Sequence, residues 1–256
     1  MSSIQWRAYD AMPASGPSPQ SAALQAAAGD FRALRAATAG YLKHQTAKRK
    51  GKAMPAPTRL MFLPGAIGNP EFWKPVSDLL AHSASRTLLG WPGFGPTPTD
   101  PLVNGIDDLV AKVVSGIDQP TAVIAQSMGG VIAMHAALKR PGLVTHLVLA
   151  ATSGGIDVSD LRAEDWRPAF LKANPLLPRW FVDYQSDISA SLGSIHAPVL
   201  LLWGDADPIS PVAVGLRLRK LLPRARLHVL AGGAHDFANV LAPSVARLIG
   251  EHLRDA

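Results

Sequence analysis

From Thr58 onward, short apolar runs alternate with stretches whose apolar residues recur every three or four positions. "TRLMFLPG", "SRTLLGW", "PTAVIAQ", "VTHLVLAAT", "APVLLLWGD" and "RLHVLAGGAH" read as six strands. Between them "EFWKPVSDLLAHS", "NGIDDLVAKVVSGID", "GGVIAMHAALKRPG", "AVGLRLRKLLPRA" and "SVARLIGEHLRD" read as helices, the third ended by Pro141-Gly142. Near-continuous apolar strands separated by amphipathic helices predict an α/β fold, a mostly parallel sheet of about six strands flanked by helices on both faces. No internal repeat is evident.

In such sheets the reactive groups gather beyond the carboxyl ends of the strands. The loops there are "PGAIGNP", "GWPGFGPTP", "QSMGG", "TSGG", "GDADPISP" and "GGAHDF". One presents Ser127 on a sharp strand-to-helix turn among the small residues Ala125, Gly129 and Gly130. One carries Asp205 and Asp207, and one carries His235. A serine hydroxyl becomes a competent nucleophile when a histidine takes its proton during attack and a carboxylate holds the imidazole. Asp205 directly follows Gly204 and suits bracing the turn, whereas Asp207 precedes Pro208, which favours an extended conformation reaching toward the histidine loop.

The order Ser, Asp, His, with one group after each of three strands, resembles that of the α/β-hydrolase family. "AQSMGG" is similar to its nucleophile elbow, "WGDADPISP" to its acid turn, "GGAHDF" to its histidine loop, "LPGAIG" to its oxyanion loop and "GWPGFGPT" to the loop after the next strand. The resemblance covers residues 58–256. It implies Ser127 as nucleophile, His235 as base and Asp207, third after the glycine, as the acid. It also implies the backbone amides of Ala66 and Met128 as the oxyanion hole. Departures are Pro64 where a histidine is usual, Ala125 in place of a glycine, Gly90 where many relatives are acidic, and no strand before Thr58.

Relatives insert a lid between the fourth and fifth of these strands, and here a short helical lid is expected over 153–196. It holds Trp166, Phe170, Trp180, Phe181 and Tyr184, so Trp166, Phe170 and Trp180 are expected to line an apolar substrate pocket. The resemblance then implies a serine hydrolase cleaving an ester or thioester with an apolar acyl group through an acyl-enzyme. A carbon–carbon bond hydrolase, a perhydrolase or acyltransferase, and a non-catalytic interaction protein are the alternatives.

Composition narrows this further. The 256 residues are 48% hydrophobic and 17% charged, with a net charge of +6. The whole excess lies in residues 1–57, where eight basic residues meet two acidic ones, most densely in "KHQTAKRKGK". The body is neutral, which argues against nucleic acid as its partner and for a small-molecule substrate. Residues 1–57, rich in Ala, Pro and Ser, are expected to form a mobile or loosely docked extension. Without cysteine there is no disulfide, thiolate metal site or cysteine nucleophile. No ligand-like histidine spacing suggests a metal, and no cofactor is expected. No apolar run reaches the roughly 18 residues of a membrane span, and no secretory h-region is visible, so a cytoplasmic location is expected. The sequence leaves the oligomeric state open.

Overall fold

A computed structural model describes residues 54–254, so the expected N-terminal extension falls almost wholly outside the described residues. Six strands form one parallel sheet: β1 (Arg59–Leu63), β2 (Ser85–Leu88), β3 (Thr121–Gln126), β4 (Val144–Ala150), β5 (Val199–Gly204) and β6 (Ala225–Leu230). Their spatial order is β2-β1-β3-β4-β5-β6, with every neighbouring pair parallel.

The alternation of side chains along each strand divides the core into two layers. Met61, Leu63, Val123, Ala125, Leu147, Leu149, Leu201 and Trp203 point to one face. Helices α2 (Ile106–Ser115), α3 (Met128–Lys139) and α5 (Val212–Leu221) cover that face. Leu60, Phe62, Ala122, Ile124, Val148, Ala150, Leu200 and Leu202 point to the other, which α1 (Lys74–Leu79), α6 (Phe237–Val240) and α7 (Ala242–Arg254) cover. The central strands β3, β4 and β5 are buried at every position, as a sheet covered on both faces requires. β6, an edge strand, is half-buried at Ala225 and Leu227, exposed at Arg226, His228 and Val229, and buried at Leu230.

Two elements differ from the sequence reading. The run from Glu71 to Ser83 is not one helix: residues 70–73 make a 3-10 turn and α1 ends at Leu79. Pro70 and Pro75 each occupy a helix start, where a missing N–H is harmless, so two short pieces replace one. The segment between β4 and β5 is only sparsely helical. It contains α4 (Arg167–Ala173) and two 3-10 turns, and otherwise consists of turns and bends. Pro175, Pro178 and the local Asp–backbone hydrogen bonds at Asp157, Asp165 and Asp187 favour turns over longer helices. Among the described residues, no helix is long and apolar enough to cross a membrane.

Candidate active site

Ser127 links Gln126, the last residue of β3, to Met128, the first of α3. Its backbone is held at φ 51 and ψ −121, a strained conformation for a residue with a side chain. Parallel pairing fixes the turn: the Ser127 amide donates to the Ala150 carbonyl at 2.9 Å and the Gly130 amide donates to the Ser127 carbonyl at 2.9 Å. The first turn of α3 passes directly beneath the end of β1. A Cβ on Gly129 would lie 2.5 Å from the Pro64 carbonyl oxygen, so only glycine permits the approach.

The histidine loop follows β6, two strands beyond β4, and the aspartate turn follows β5 between them. The Oγ of Ser127 lies 3.0 Å from Nε2 of His235, and Nδ1 of His235 lies 2.8 Å from Oδ2 of Asp207. A carboxylate accepts only, so Nδ1 carries the proton and Nε2 is left to accept from the serine hydroxyl. The Asp207 side chain is fully buried. Its other oxygen accepts from the amides of Ile209 and Ser210 at 2.9 and 3.1 Å, which satisfies the charge where water does not reach. Asp205 faces elsewhere and accepts from the Gly232 amide at 2.6 Å.

Ala66 stands three residues past β1, beside the serine turn, because β1 pairs with β3 through Leu63 and Ala125. Met128 opens α3, so its amide is among those a helix leaves without an internal acceptor. Met128 adjoins Ser127 in the chain and Ala66 follows Gly65, where an added Cβ would lie 3.2 Å from the Ser127 Cβ.

A cavity of about 830 Å³ opens onto Ser127 and His235. Its buried walls are mostly apolar and include Val131, Ile156 and Phe181, with Ser210 as a buried polar member, while its exposed walls carry Asp157, Glu164, Asp165 and Asp187. Arg167 is the lining cation, and it pairs with Asp165 at 3.2 Å. Of the aromatics expected in the wall, Trp166 lines the cavity; Phe170 and Trp180 do not. Their rings pack edge-on against Phe181, at 5.1 and 6.0 Å, and Phe94 from the loop after β2 closes the cluster at 5.1 Å. Phe181 and Tyr184 take the lining positions instead, Tyr184 with its hydroxyl 3.1 Å from Nε2 of His135. Burial holds the His135 pKa below the ordinary imidazole value.

Three further residues touch this machinery. The Gln126 side chain donates to the His235 carbonyl at 3.2 Å, Trp91 donates to the Gly65 carbonyl and Thr152 to the Ser127 carbonyl. All three lie at carboxyl ends of strands, the one signal in the sequence that could have marked them. Among the described residues, no group of three or more His, Asp or Glu side chains is placed to hold a metal.

The model of the alpha/beta hydrolase family matches residues 60–186. A RutD protein of Agrobacterium fabrum named for carbamate hydrolysis is 26% identical over 236 residues, covering 74% of this chain and 90% of its own. A pimeloyl-[acyl-carrier protein] methyl ester esterase of Chromobacterium violaceum is 25% identical over 227 residues, covering 70% and 87%. Among solved structures, a 2-hydroxy-6-oxo-6-phenylhexa-2,4-dienoate hydrolase from Rhodococcus sp. strain RHA1 superposes with a TM-score of 0.64 at 19% identity, over 78% of this chain and 91% of its own. Six parallel strands in this order, a serine on the turn after β3 and the family match together place the chain in the α/β-hydrolase family, as a hydrolytic enzyme.

Proposed function

We propose that the chain is a serine hydrolase acting on an ester or thioester with an apolar acyl group. The observation that carries this reading is the continuous line from Ser127 through His235 to Asp207, with contacts of 3.0 and 2.8 Å.

The chemistry follows from that line. Ser127 Oγ attacks the substrate's carbonyl carbon as its proton passes to His235 Nε2, and the carbonyl π electrons move to oxygen. The amides of Ala66 and Met128 receive the resulting oxyanion, with the N-terminal dipole of α3 adding to them. The carbon–oxygen or carbon–sulfur bond to the leaving group then breaks, and His235 returns its proton to that group. Water repeats the sequence on the acyl-enzyme, releasing the acid and restoring Ser127. Asp207 keeps the imidazole in the required tautomer and stabilises the imidazolium.

The cavity supports an apolar acyl group and a neutral scissile bond. Val131, Ile156 and Phe181 give the acyl chain apolar walls near the serine. A dienoate substrate, by contrast, brings a carboxylate, and among the described residues the lining offers Arg167 alone of the Lys and Arg side chains, already paired with Asp165. That favours ester over dienoate chemistry.

The test is hydrolysis of p-nitrophenyl esters from acetate to octanoate, and of acyl-CoAs, by the wild type and Ser127→Ala. The expected result is ester turnover lost in the variant, with an acyl adduct on Ser127 seen by mass spectrometry. Equal turnover by both proteins overturns the reading.

A further inference from the structure

The two amides proposed to receive the oxyanion share an arrangement that the triad does not explain. The Ala66 N–H belongs to the same peptide unit as the Gly65 carbonyl, and the Met128 N–H to the same unit as the Ser127 carbonyl. Both units are trans, so each N–H points opposite to its carbonyl within one rigid plane. A donor bound to the carbonyl therefore sets the direction of the N–H on the far side. Beside the Gly68 and Gly130 amides, which reach the same two carbonyls at 3.0 and 2.9 Å, Trp91 Nε1 donates to the Gly65 carbonyl at 2.8 Å and Thr152 Oγ1 donates to the Ser127 carbonyl at 2.6 Å.

We propose that Trp91 and Thr152 are positioning residues for the oxyanion hole, each holding one donor peptide plane by its carbonyl; this rests on the serine-hydrolase reading above. The sheet order supplies both from symmetrical places. In β2-β1-β3-β4 the two inner strands carry the donor peptides, and the loops after the two outer strands carry the side chains that hold them. Trp91 follows β2 and reaches across to the loop after β1. Thr152 follows β4 and reaches across to the turn after β3.

Both side chains are themselves fixed. Trp91 is 0% and Thr152 1% exposed, so both donor side chains are held within the packed interior. Thr152 Oγ1 also accepts from the Gly154 amide at 3.0 Å, which leaves its hydroxyl proton to point at Ser127. Trp73 secures the start of the same loop by donating to the Leu63 carbonyl at 2.9 Å. A hydrogen bond to a carbonyl also polarises its peptide, making the opposite N–H a stronger donor.

Developing negative charge is strongest in the transition state, so a misaligned donor lowers kcat and leaves KM nearly unchanged. Removing an oxyanion donor outright costs about 10²–10³ in kcat; loosening one is expected to cost about tenfold or somewhat more. The experiment measures kcat and KM on p-nitrophenyl butyrate, and the rate of Ser127 labelling by a fluorophosphonate, whose phosphoryl oxygen needs the same donors. The proteins are wild type, Ser127→Ala, Trp91→Phe, Thr152→Val and Thr152→Ser. Trp91→Phe and Thr152→Val are expected to lose about tenfold or more in kcat and in labelling rate, with KM within about twofold. Thr152→Ser, which keeps the hydroxyl, is expected to stay within about threefold of wild type.

Wild-type rates in both Trp91→Phe and Thr152→Val overturn the inference while leaving the serine-hydrolase reading intact. So does a Thr152→Ser variant as slow as Thr152→Val, or a change confined to melting temperature. A wild type that fails to label, or labels no faster than Ser127→Ala, overturns the serine-hydrolase reading and this inference with it. Should Trp91→Phe fail to fold, the comparison of Thr152→Val with Thr152→Ser decides.

Discussion

Asp205 and Asp207 stand two positions apart on one turn and bind different partners in the neighbouring loop. Asp205 accepts the Gly232 amide at 2.6 Å, and Asp207 accepts Nδ1 of His235 at 2.8 Å. Neutralising the two therefore separates chemistry from stability. Asp207→Asn is expected to lower kcat by about 10⁴, because the imidazole loses the acceptor that sets its tautomer. Asp205→Asn is expected to keep kcat within a few-fold and to lose about 1 kcal/mol of stability with its hydrogen bond. Ester kinetics and thermal melting of the two variants check both; a well-folded, inactive Asp205→Asn protein would reverse the assignment.

Gly129 is where the serine turn and the end of β1 come closest. A methyl group there meets the Pro64 and Leu63 carbonyl oxygens at 2.5 and 2.8 Å, both backbone atoms that cannot swing aside. Gly129→Ala is expected to push the 64–66 loop away from α3, costing about 1–3 kcal/mol of stability and most of the activity. Denaturant unfolding together with kcat at low temperature tests this.

Phe181 is the hub of the aromatic cluster, touching Trp166, Phe170, Trp180 and Phe94 while also lining the cavity. Phe181→Ala is expected to lose about 3 kcal/mol or more. It is also expected to raise KM for long-chain more than for short-chain esters, since both the wall and its support go. A uniform KM across chain lengths would show that acyl groups do not rest on this wall.

At the opposite end of the sheet His146 is fully buried against the His252 ring, at 5.4 Å, and its Nε2 has no hydrogen-bond partner among the described residues. Burial, with the nearby Arg224 and His82 charges adding to it, lowers its pKa from 6.5 to about 4. The unfolded chain thus binds a proton that the folded one refuses between these values. Above pH 6.5 His146 imposes no penalty; as pH falls from 6.5 to 4 stability is lost, by up to about 3 kcal/mol, and below 4 the loss is complete. Melting temperatures at pH 7.5 and 5, in wild type and His146→Phe, check the sign. The variant is expected to show the smaller acid shift.

The six strands, their burial on both faces and the order of serine, aspartate and histidine were legible along the chain. Each depends on a residue and its near neighbours: short near-continuous apolar runs, small residues at a tight turn, and proline after Asp207. The stretch between β1 and β2 reads as one helix because apolar spacing persists past Pro75, while the backbone is interrupted at the two proline-led starts. Composition marks the 153–196 segment as aromatic, but it does not distinguish a ring that faces the cavity from Phe170 and Trp180, which meet Phe181 instead. Gln126, Trp91 and Thr152 gave no distinctive pattern. Each binds a carbonyl on a different loop, 109, 26 and 25 positions away in the chain. Those partners are adjacent only because parallel strands in the order β2-β1-β3-β4-β5-β6 bring all their carboxyl ends to one side. Local pattern decided which segments become strands and helices; the register between strands decided which side chains meet above them.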